Sequence, residues 1–362
     1  MISRSQGRRA GRVRSARLTD LSAVGELSRL SHTLSDDVDT RVRSLGLPVS
    51  AHAISVFSLF RMPLGAFQPH DQLYVYEDEH ALMGLARVER DAHRDEWTIV
   101  ELDAMDQGEA GDIRLRLLQH LLRDGGKRGA ARVHVACADH SGNIELFMQA
   151  GFARYGEERL FFRPPSETLP GPPVQSEAAA EGIREASALD ALQLDRLYRA
   201  VTPAPVARIE AYRLPDWERQ GSHWRIPRSA MTPILRFADV EAWVQTCPPP
   251  AVDELAAFIQ LGVAKADQPH YLRLICRPDH DPSALIRYGL AIIGERSGNG
   301  SDRRERDAGH RDQGIATVVR TYESPLDRRL EEVGFRHLAD VSLLVRETLV
   351  RVAEPALVPA IR

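Results

Sequence analysis

The chain has 362 residues, 43% hydrophobic and 27% charged, with a formal net charge of −4 and a sequence pI near 6.4. That length exceeds what one hydrophobic core usually serves, so two domains are expected. A near-neutral balance gives no global field to recruit nucleic acid or an anionic membrane.

Cys137, Cys247 and Cys276 lie far apart with no C-x-x-C spacing. That arrangement suits a reduced compartment and argues against a zinc site or a disulfide framework. No run approaches the roughly 18 apolar residues of a membrane span, so a cytoplasmic protein with no membrane partner is expected. Lysine occurs only at Lys127 and Lys265, which leans against Schiff-base chemistry.

The chain opens with six arginines up to Arg17 and no acid before Asp20. Without an apolar core this is no secretory leader, and residues 1–12 read as a flexible basic tail. Val13 to Asp20 reads as an edge strand entering a helix capped near Thr19 or Asp20. Leu21 to Leu30 and Ala51 to Phe60 have helical periodicity. Strands follow at Leu73 to Tyr76, Ala81 to Arg90 and Trp97 to Asp103, the first two joined by the acidic turn Glu77 to His80. After the loop Asp106 to Asp112 comes a helix with an apolar face at Ile113, Leu117, Leu118, Leu121 and Leu122, stopped at Gly125-Gly126. Val133 to Cys137 is a buried strand, Asn143 to Ala150 a short helix, and Gly151-Phe152 a turn into a strand that closes at Leu160 to Phe162.

The plan then recurs. Ala316 to Arg346 repeats Val133 to Arg163 at an offset of 183 without a gap: Val135 matches Val318, Ser141 matches Ser324, Gly151-Phe152 matches Gly334-Phe335, and Arg163 matches Arg346. Ile183 to Asp190 repeats Val13 to Asp20 at an offset of 170, with Arg14/Arg184 and Asp20/Asp190 in register. Between the copies, 164–182 is rich in Pro, Ala, Ser and Glu and reads as a linker. The second copy has helices within Leu189 to Tyr212. Its strands fall near Thr232 to Phe237, Ala242 to Thr246, Glu254 to Ala264 and Pro269 to Arg277, and a helix covers Ser283 to Ile293. The charged stretch 294–314 lacks a hydrophobic period and reads as a disordered insertion; 351–362 reads as a C-terminal tail.

The order β-α-α-β-β-β-α-β-α-β in each copy resembles the GNAT acyltransferase superfamily, over about Val13 to Arg163 and Ile183 to Arg346. The resemblance implies two GNAT-like acyl-CoA N-acyltransferase domains, 13–163 and 183–350, each a mixed, mainly antiparallel α/β sheet flanked by helices. It implies acetyl-CoA as acyl donor and a small-molecule or peptide amine as acceptor. The tandem copies would make a monomer with pseudo-dimeric halves, or a homodimer.

By the same resemblance a splayed fourth strand and the loop after it hold the cofactor, which assigns Leu102, Ala104, Gln107, Gly108, Ala110 and Gly111 to it. The family's loop reads Q/R-x-x-G-x-G/A; here Gln107 fits, but Ala110 stands at the central glycine and Asp112 at the last position. A carboxylate about 4 Å from a pyrophosphate charge costs roughly 4 kcal/mol at an effective dielectric of about 20, more than the roughly 0.3–1 kcal/mol credited to a helix dipole. The plainer reading makes Asp112 the helix cap. The second copy's Asp281 to Ile286 has no glycine, and Pro282 donates no N–H.

Family members often place a glutamate base on the strand before this loop, which points to Glu101 or Asp103; both face one side of it, and a merely solvated strand face is the plain alternative. The second copy carries Arg273 and Arg277 there. The tyrosine that serves the family as acid falls at Phe147 and Leu330, neither a proton donor. The family's asparagine falls at His140 and Glu323, which leaves His140 and Tyr155 as polar candidates near the thiol. A non-catalytic binding or scaffolding descendant is therefore the rival reading. No metal site is expected.

Overall fold

The computed structural model describes residues 11–34, 71–79, 81–91, 93–105, 110–138, 141–165, 178, 181–218, 228–231, 237–248, 254–264, 268–298, 314–323 and 325–348. The expected helix at Ala51 to Phe60, residues 1–10 of the expected N-terminal tail, the C-terminal tail 351–362, and the site candidates Gln107, Gly108 and His140 lie outside these residues, while Arg12, expected in the tail, opens β1.

The first half runs β1 (Arg12–Ser15), α1 (Leu21–Leu34), β2 (Asp71–Asp78), β3 (Ala81–Arg90), β4 (Glu96–Ala104), α2 (Ala110–Lys127), β5 (Arg132–Ala138), α3 (Ser141–Gln149) and β6 (Ala153–Arg163). The second runs β7 (Ile183–Glu185), α4 (Ala191–Val201), α5 (Ala204–Glu210), α6 (Leu214–Glu218), β8 (Phe237–Thr246), β9 (Leu255–Ala264), β10 (His270–Cys276), α7 (Ser283–Gly298), β11 (Ile315–Arg320), α8 (Pro325–Glu332) and β12 (Arg336–Glu347). The mixed, mainly antiparallel sheet with flanking helices is the architecture the sequence implies.

Three local expectations are corrected. The strand expected at Ala242 to Thr246 starts earlier, at Phe237, with an irregularity at Phe237/Asp239; the strand expected at Thr232 to Phe237 lies, except for Phe237, outside the described residues. The helix expected to end at Ile293 continues to Gly298, so 294–298 is helical. Gly125-Gly126 does not stop α2, which continues to Lys127. Gly125 serves close approach instead: a Cβ there would lie 3.2 Å from the Trp97 ring.

The two halves share one 12-stranded sheet in the order β1-β2-β3-β4-β5-β12-β6-β11-β10-β9-β8-β7. Each half's last strand has crossed over. β12 lies antiparallel to β5 and β6, and β6 pairs with β11. The sequence repeat is thus a structural repeat whose closing strands are exchanged. A seam core of Ala138, Leu160, Met231, Tyr271, Val318 and Val341 draws on both copies.

The remaining apolar residues divide by sheet face, as a period of two dictates. In the first half α2 and α3 cover one face, burying Leu117, Leu121 and Phe147 against Val88, Ile99, Leu102 and Val135. α1 covers the other face through Val24 and Leu27 on Val75 and Leu85. In the second half α7 and α8 pack on Ile259, Leu272 and Leu274, and α4 with Trp217 packs on Val244, Phe258 and Ile275 opposite.

The repeated residues do repeated work. Arg14 grips both oxygens of Asp20 at 2.6 and 3.0 Å, and Arg184 grips those of Asp190 at 2.9 and 2.6 Å. The Arg184 hydrogen bonds hold the Asp190 carboxyl below its usual range. Gly151 and Gly334 both have positive φ, 85° and 92°, the helix-ending conformation that glycine adopts without a Cβ penalty.

Candidate functional site

Site geometry starts from a bulge in β4. Val88 pairs with Ile99 but Arg87 pairs with Glu101, so Val100 is the extra residue of the bulge. Side chains alternate along a strand, and one inserted residue shifts the alternation. Ile99, Leu102 and Ala104 therefore all face α2. Thr98, Glu101 and Asp103 all face the α1 side, opposite Glu89, Arg87 and Leu85.

Glu101 and Asp103 do share one face, but it is not a solvated one: they are 2% and 4% exposed. Glu101 lies 3.8 Å from the Arg87 guanidinium, which supplies an opposite charge without a full hydrogen bond. Two buried carboxylates on one short stretch of strand have to be compensated by their neighbours, of which Arg87 is one, and buried charge beside an opening in a sheet makes them candidates for chemistry.

Beside these carboxylates the sheet opens. β4 and β5 pair in parallel from Glu96–Arg132 to Ile99–Val135. Beyond that pair β4 continues to Ala104 and β5 to Ala138 with no further pairing between them. α2 begins at Ala110, six residues past the end of β4, so its N-terminus with its positive dipole end follows directly on the opening strand. Asp112 is not the cap of this helix. It sits inside the first turn, exposed, and pairs with Arg116 at 2.8 Å, so its charge is answered by a cation one turn along.

The second half parts in the same way and is then closed. β10 and β11 pair from His270–Ile315 to Leu272–Thr317. At the next residue Arg273 sends a two-pronged bond across to Glu323, at 3.0 and 2.9 Å. Glu323 also accepts the Arg320 backbone N–H at 2.9 Å. The Arg273 and Glu323 side chains are 2% and 3% exposed. A buried fork of this kind bridges the two diverging strands where the first half has Glu101 and Asp103.

Phe147 and Leu330, at the expected acid positions, are packed in the two cores. Neither offers a proton. Tyr155 is half-buried, edge-on to His134 at 5.9 Å between ring centroids, and burial raises its hydroxyl pKa.

Between the halves lies a buried ionic cluster that the sequence did not reveal. Arg320 on β11 contacts Glu210 at 2.6 Å and Glu158 at 2.8 Å, and donates to the Arg228 carbonyl at 2.6 Å. Gly156 makes room for it, since a Cβ there would lie 3.2 Å from Arg320 Nη1. Arg228 reaches into the first half, to Glu96 Oε2 at 2.6 Å and Thr98 Oγ1 at 2.9 Å. Arg94 holds the other Glu96 oxygen at 2.8 Å and donates to the Glu210 carbonyl. Tyr198 donates to Glu210 at 2.6 Å. The one available signal was a lone polar residue inside an apolar strand, such as His134 between Val133 and Val135 or Arg320 ending Ile315–Arg320.

Comparison with known proteins bears on the fold. No family model and no curated protein matches the sequence. Among solved structures, a tandem GNAT protein from the clavulanic acid biosynthesis pathway superposes with a TM-score of 0.53 at 13% identity, covering 95% of this chain and 100% of that one. The fold is that of a tandem GNAT protein. A GCN5-related N-acetyltransferase from Sphaerobacter thermophilus gives a TM-score of 0.51 at 12% identity, covering 93% of this chain and 95% of that one. The tandem GNAT architecture thus spans nearly the whole chain. No helix among the described residues is long and apolar enough to cross a membrane.

The first half retains the two features that a coenzyme A thioester would use. Its parted strands and following helix N-terminus remain, and the acid in that helix is paired with Arg116. The second half does not fit, because Arg273 and Glu323 occupy the same place.

Proposed function

We propose that the chain is an N-acyltransferase that moves an acetyl or related acyl group from its coenzyme A thioester to an amine, with the working site in residues 13–163. One contrast carries this reading: the first half keeps its strands parted after Ile99–Val135 with buried carboxylates alongside, whereas the second is bridged by Arg273–Glu323.

The backbone of Leu102 and Ala104 on the parted strand, with Gln107 and Gly108 and with Ala110 and Gly111 at the start of α2, would hold the cofactor. When bound, the cofactor supplies an activated carbonyl and a thiolate leaving group. Glu101 takes the proton of the acceptor ammonium, so that the nitrogen can attack, and Asp103 extends the same acidic face. Acid–base help of this kind is worth roughly 10² to 10⁴ in rate. His140 is the polar residue assigned near the thiol. The acceptor is a small-molecule or peptide amine, and the tandem halves act as an internal pseudo-dimer in the cytoplasm.

Calorimetric titration of the full chain with acetyl-CoA tests the cofactor half of this proposal. One saturable site, with a dissociation constant roughly in the micromolar range, is expected. Absence of heat up to millimolar acetyl-CoA would leave the non-catalytic binding module as the reading. Release of free thiol from acetyl-CoA in the presence of an amine panel tests the transfer itself.

A further inference from the structure

At the seam, the residue one position before the sheet parts is His134, directly across from Thr98. The residue is 2% exposed, and neither ring nitrogen has a hydrogen-bond partner among the described residues. The nearest acidic atom is Glu96 Oε2 at 3.7 Å, beyond hydrogen-bond reach. An imidazole this deep with both nitrogens unused is expensive, since buried polar groups are nearly always satisfied.

The orphan nitrogens are not alone. Arg228 Nε and Arg320 Nη1 are buried and also lack acceptors. Glu96 is committed to Arg94, Arg228 and Arg132, and Glu210 to Arg320 and Tyr198. Glu158 accepts the Ala230 N–H on Oε2, while its Oε1 stands 2.8 Å from Arg320 Nε as an ion pair and is the one carboxylate oxygen of the three residues without a hydrogen bond. Glu347 answers Arg132 at the rim, at 3.5 Å. What remains unsatisfied among the described residues of this cluster is thus mainly donors. The field has the matching sign: burial and then the guanidinium groups of Arg228, Arg94, Arg132 and Arg320 hold the His134 pKa well below its usual value. The half-buried Tyr155 beside it gives the cluster an edge toward solvent.

We propose that this seam is a composite anion site, built by both halves, that takes the carboxylate or similar small oxyanion of a ligand on Arg228 Nε, His134 and the Tyr155 hydroxyl. Guanidinium and imidazole N–H groups at a dry site bind a carboxylate through charge-assisted bonds roughly twice as strong as neutral ones. The site does not depend on the acyl-transfer reading, but it adjoins it. Thr98 and Glu101 share the α1-side face of β4, so an acceptor amine bearing a carboxylate could be held at the seam with its nitrogen toward Glu101.

The test uses the full chain at constant ionic strength, with sodium acetate and sodium sulfate as probes and thermal unfolding and calorimetry as readouts. Saturable binding with a rise in melting temperature is expected for at least one of the two. Tyr155→Phe removes one donor and disturbs no ion pair; several-fold weaker binding is expected. Arg228→Met is expected to weaken it at least about tenfold, the effect of losing one charge-assisted bond. Exposed Arg328→Met should leave it unchanged. Failure of both anions to bind the wild-type chain would overturn the site whatever the variants do, and so would binding that survives both Tyr155→Phe and Arg228→Met undiminished. A second arm separates a free anion from an acceptor's own carboxylate. It compares amino acids with their amides as acceptors of acetyl-CoA, following thiol release. Preference for the acids, lost in Tyr155→Phe, marks an acceptor carboxylate, while anion binding with no such preference marks a free-anion site. Anion binding without any thiol release would retain the seam site and remove only the transfer reaction.

Discussion

Arg163 and Arg346 occupy matching positions of the repeat, and each closes a helix of the half to which it does not belong. Arg163 donates to the Val333 carbonyl at 2.9 Å, and Arg346 donates to the Ala150 carbonyl. The glycines that end those helices lie under the crossing guanidiniums; a Cβ on Gly151 would stand 3.1 Å from Arg346 Nη1. Cations near a helix C-terminus are favourable, and here they also lock the halves together.

Exchange of β6 and β12 makes the halves interdependent. Cutting the chain between 165 and 178 leaves each fragment with its closing strand displaced and a sheet edge exposed, and exposed edges aggregate. Separately expressed fragments are expected to be insoluble or to self-associate, and co-expressed ones to co-purify as a 1:1 complex by light scattering. A monomeric fragment with cooperative unfolding would show that the exchange is dispensable.

Arg273→Met leaves the Glu323 carboxylate buried without its cation. Breaking such a pair costs about 3–5 kcal/mol, whereas replacing both partners is often close to neutral. The double variant Arg273→Met/Glu323→Gln should therefore regain much of the loss, because Gln keeps an acceptor for the Arg320 N–H. Urea unfolding midpoints measure this. Acetyl-CoA affinity should not change in either variant, and a gain of a second binding site in the double variant would show that the fork is what closes the second half.

Legibility in the sequence followed locality. The paired strand–helix–Gly-Phe–strand endings were readable because the backbone at Gly151 and Gly334 demands glycine in both copies. Arg14/Arg184 and Asp20/Asp190 were likewise visible as repeated positions, but the forks they close six residues apart were not expected from them. Nor was strand exchange. Leu343 and Leu344 of β12 pair with Ala136 and Val135 of β5, and an apolar alternation of this kind does not specify which copy of a repeated neighbour it meets. The buried cluster was equally hidden, since Arg94, Glu158, Glu210 and Arg320 converge from four distant segments. Gly125-Gly126 misled because close packing on Trp97 and helix termination select the same residue.

Asp112 offers a graded test of the cofactor site. Its pair with Arg116 is exposed, and exposed pairs are worth little. Asp112→Asn should leave stability within about 0.5 kcal/mol. It removes a negative charge from the first turn of α2 and frees Arg116, so acetyl-CoA affinity should rise by a few-fold, less at high salt. Unchanged affinity in calorimetry would place the diphosphate away from this helix end.

Glu101→Gln keeps the shape of the side chain and removes its basicity. If the Glu101 carboxylate takes the ammonium proton, thiol release at saturating acetyl-CoA should fall by roughly 10² to 10⁴ while acetyl-CoA affinity stays within a few-fold. Asp103→Asn should have the smaller effect. The reverse order would move the base two residues along the strand.

His134 gives a pH signature independent of any activity. Its folded-state pKa is depressed, by burial first and then by Arg228, Arg94, Arg132 and Arg320. The unfolded chain therefore binds a proton below about pH 6.5 that the folded chain refuses, and stability falls as pH falls through that window. Glu158 acts in the opposite sense, because burial raises its carboxyl pKa and the folded state takes up the proton first. Comparison of the wild type with His134→Gln cancels the Glu158 contribution. The difference in unfolding free energy should shrink by up to roughly 1.4 kcal/mol for each pH unit below about 6, read from urea curves at several pH values. Parallel pH dependences for the two proteins would mean that His134 is protonated within the fold, with an anion already beside it.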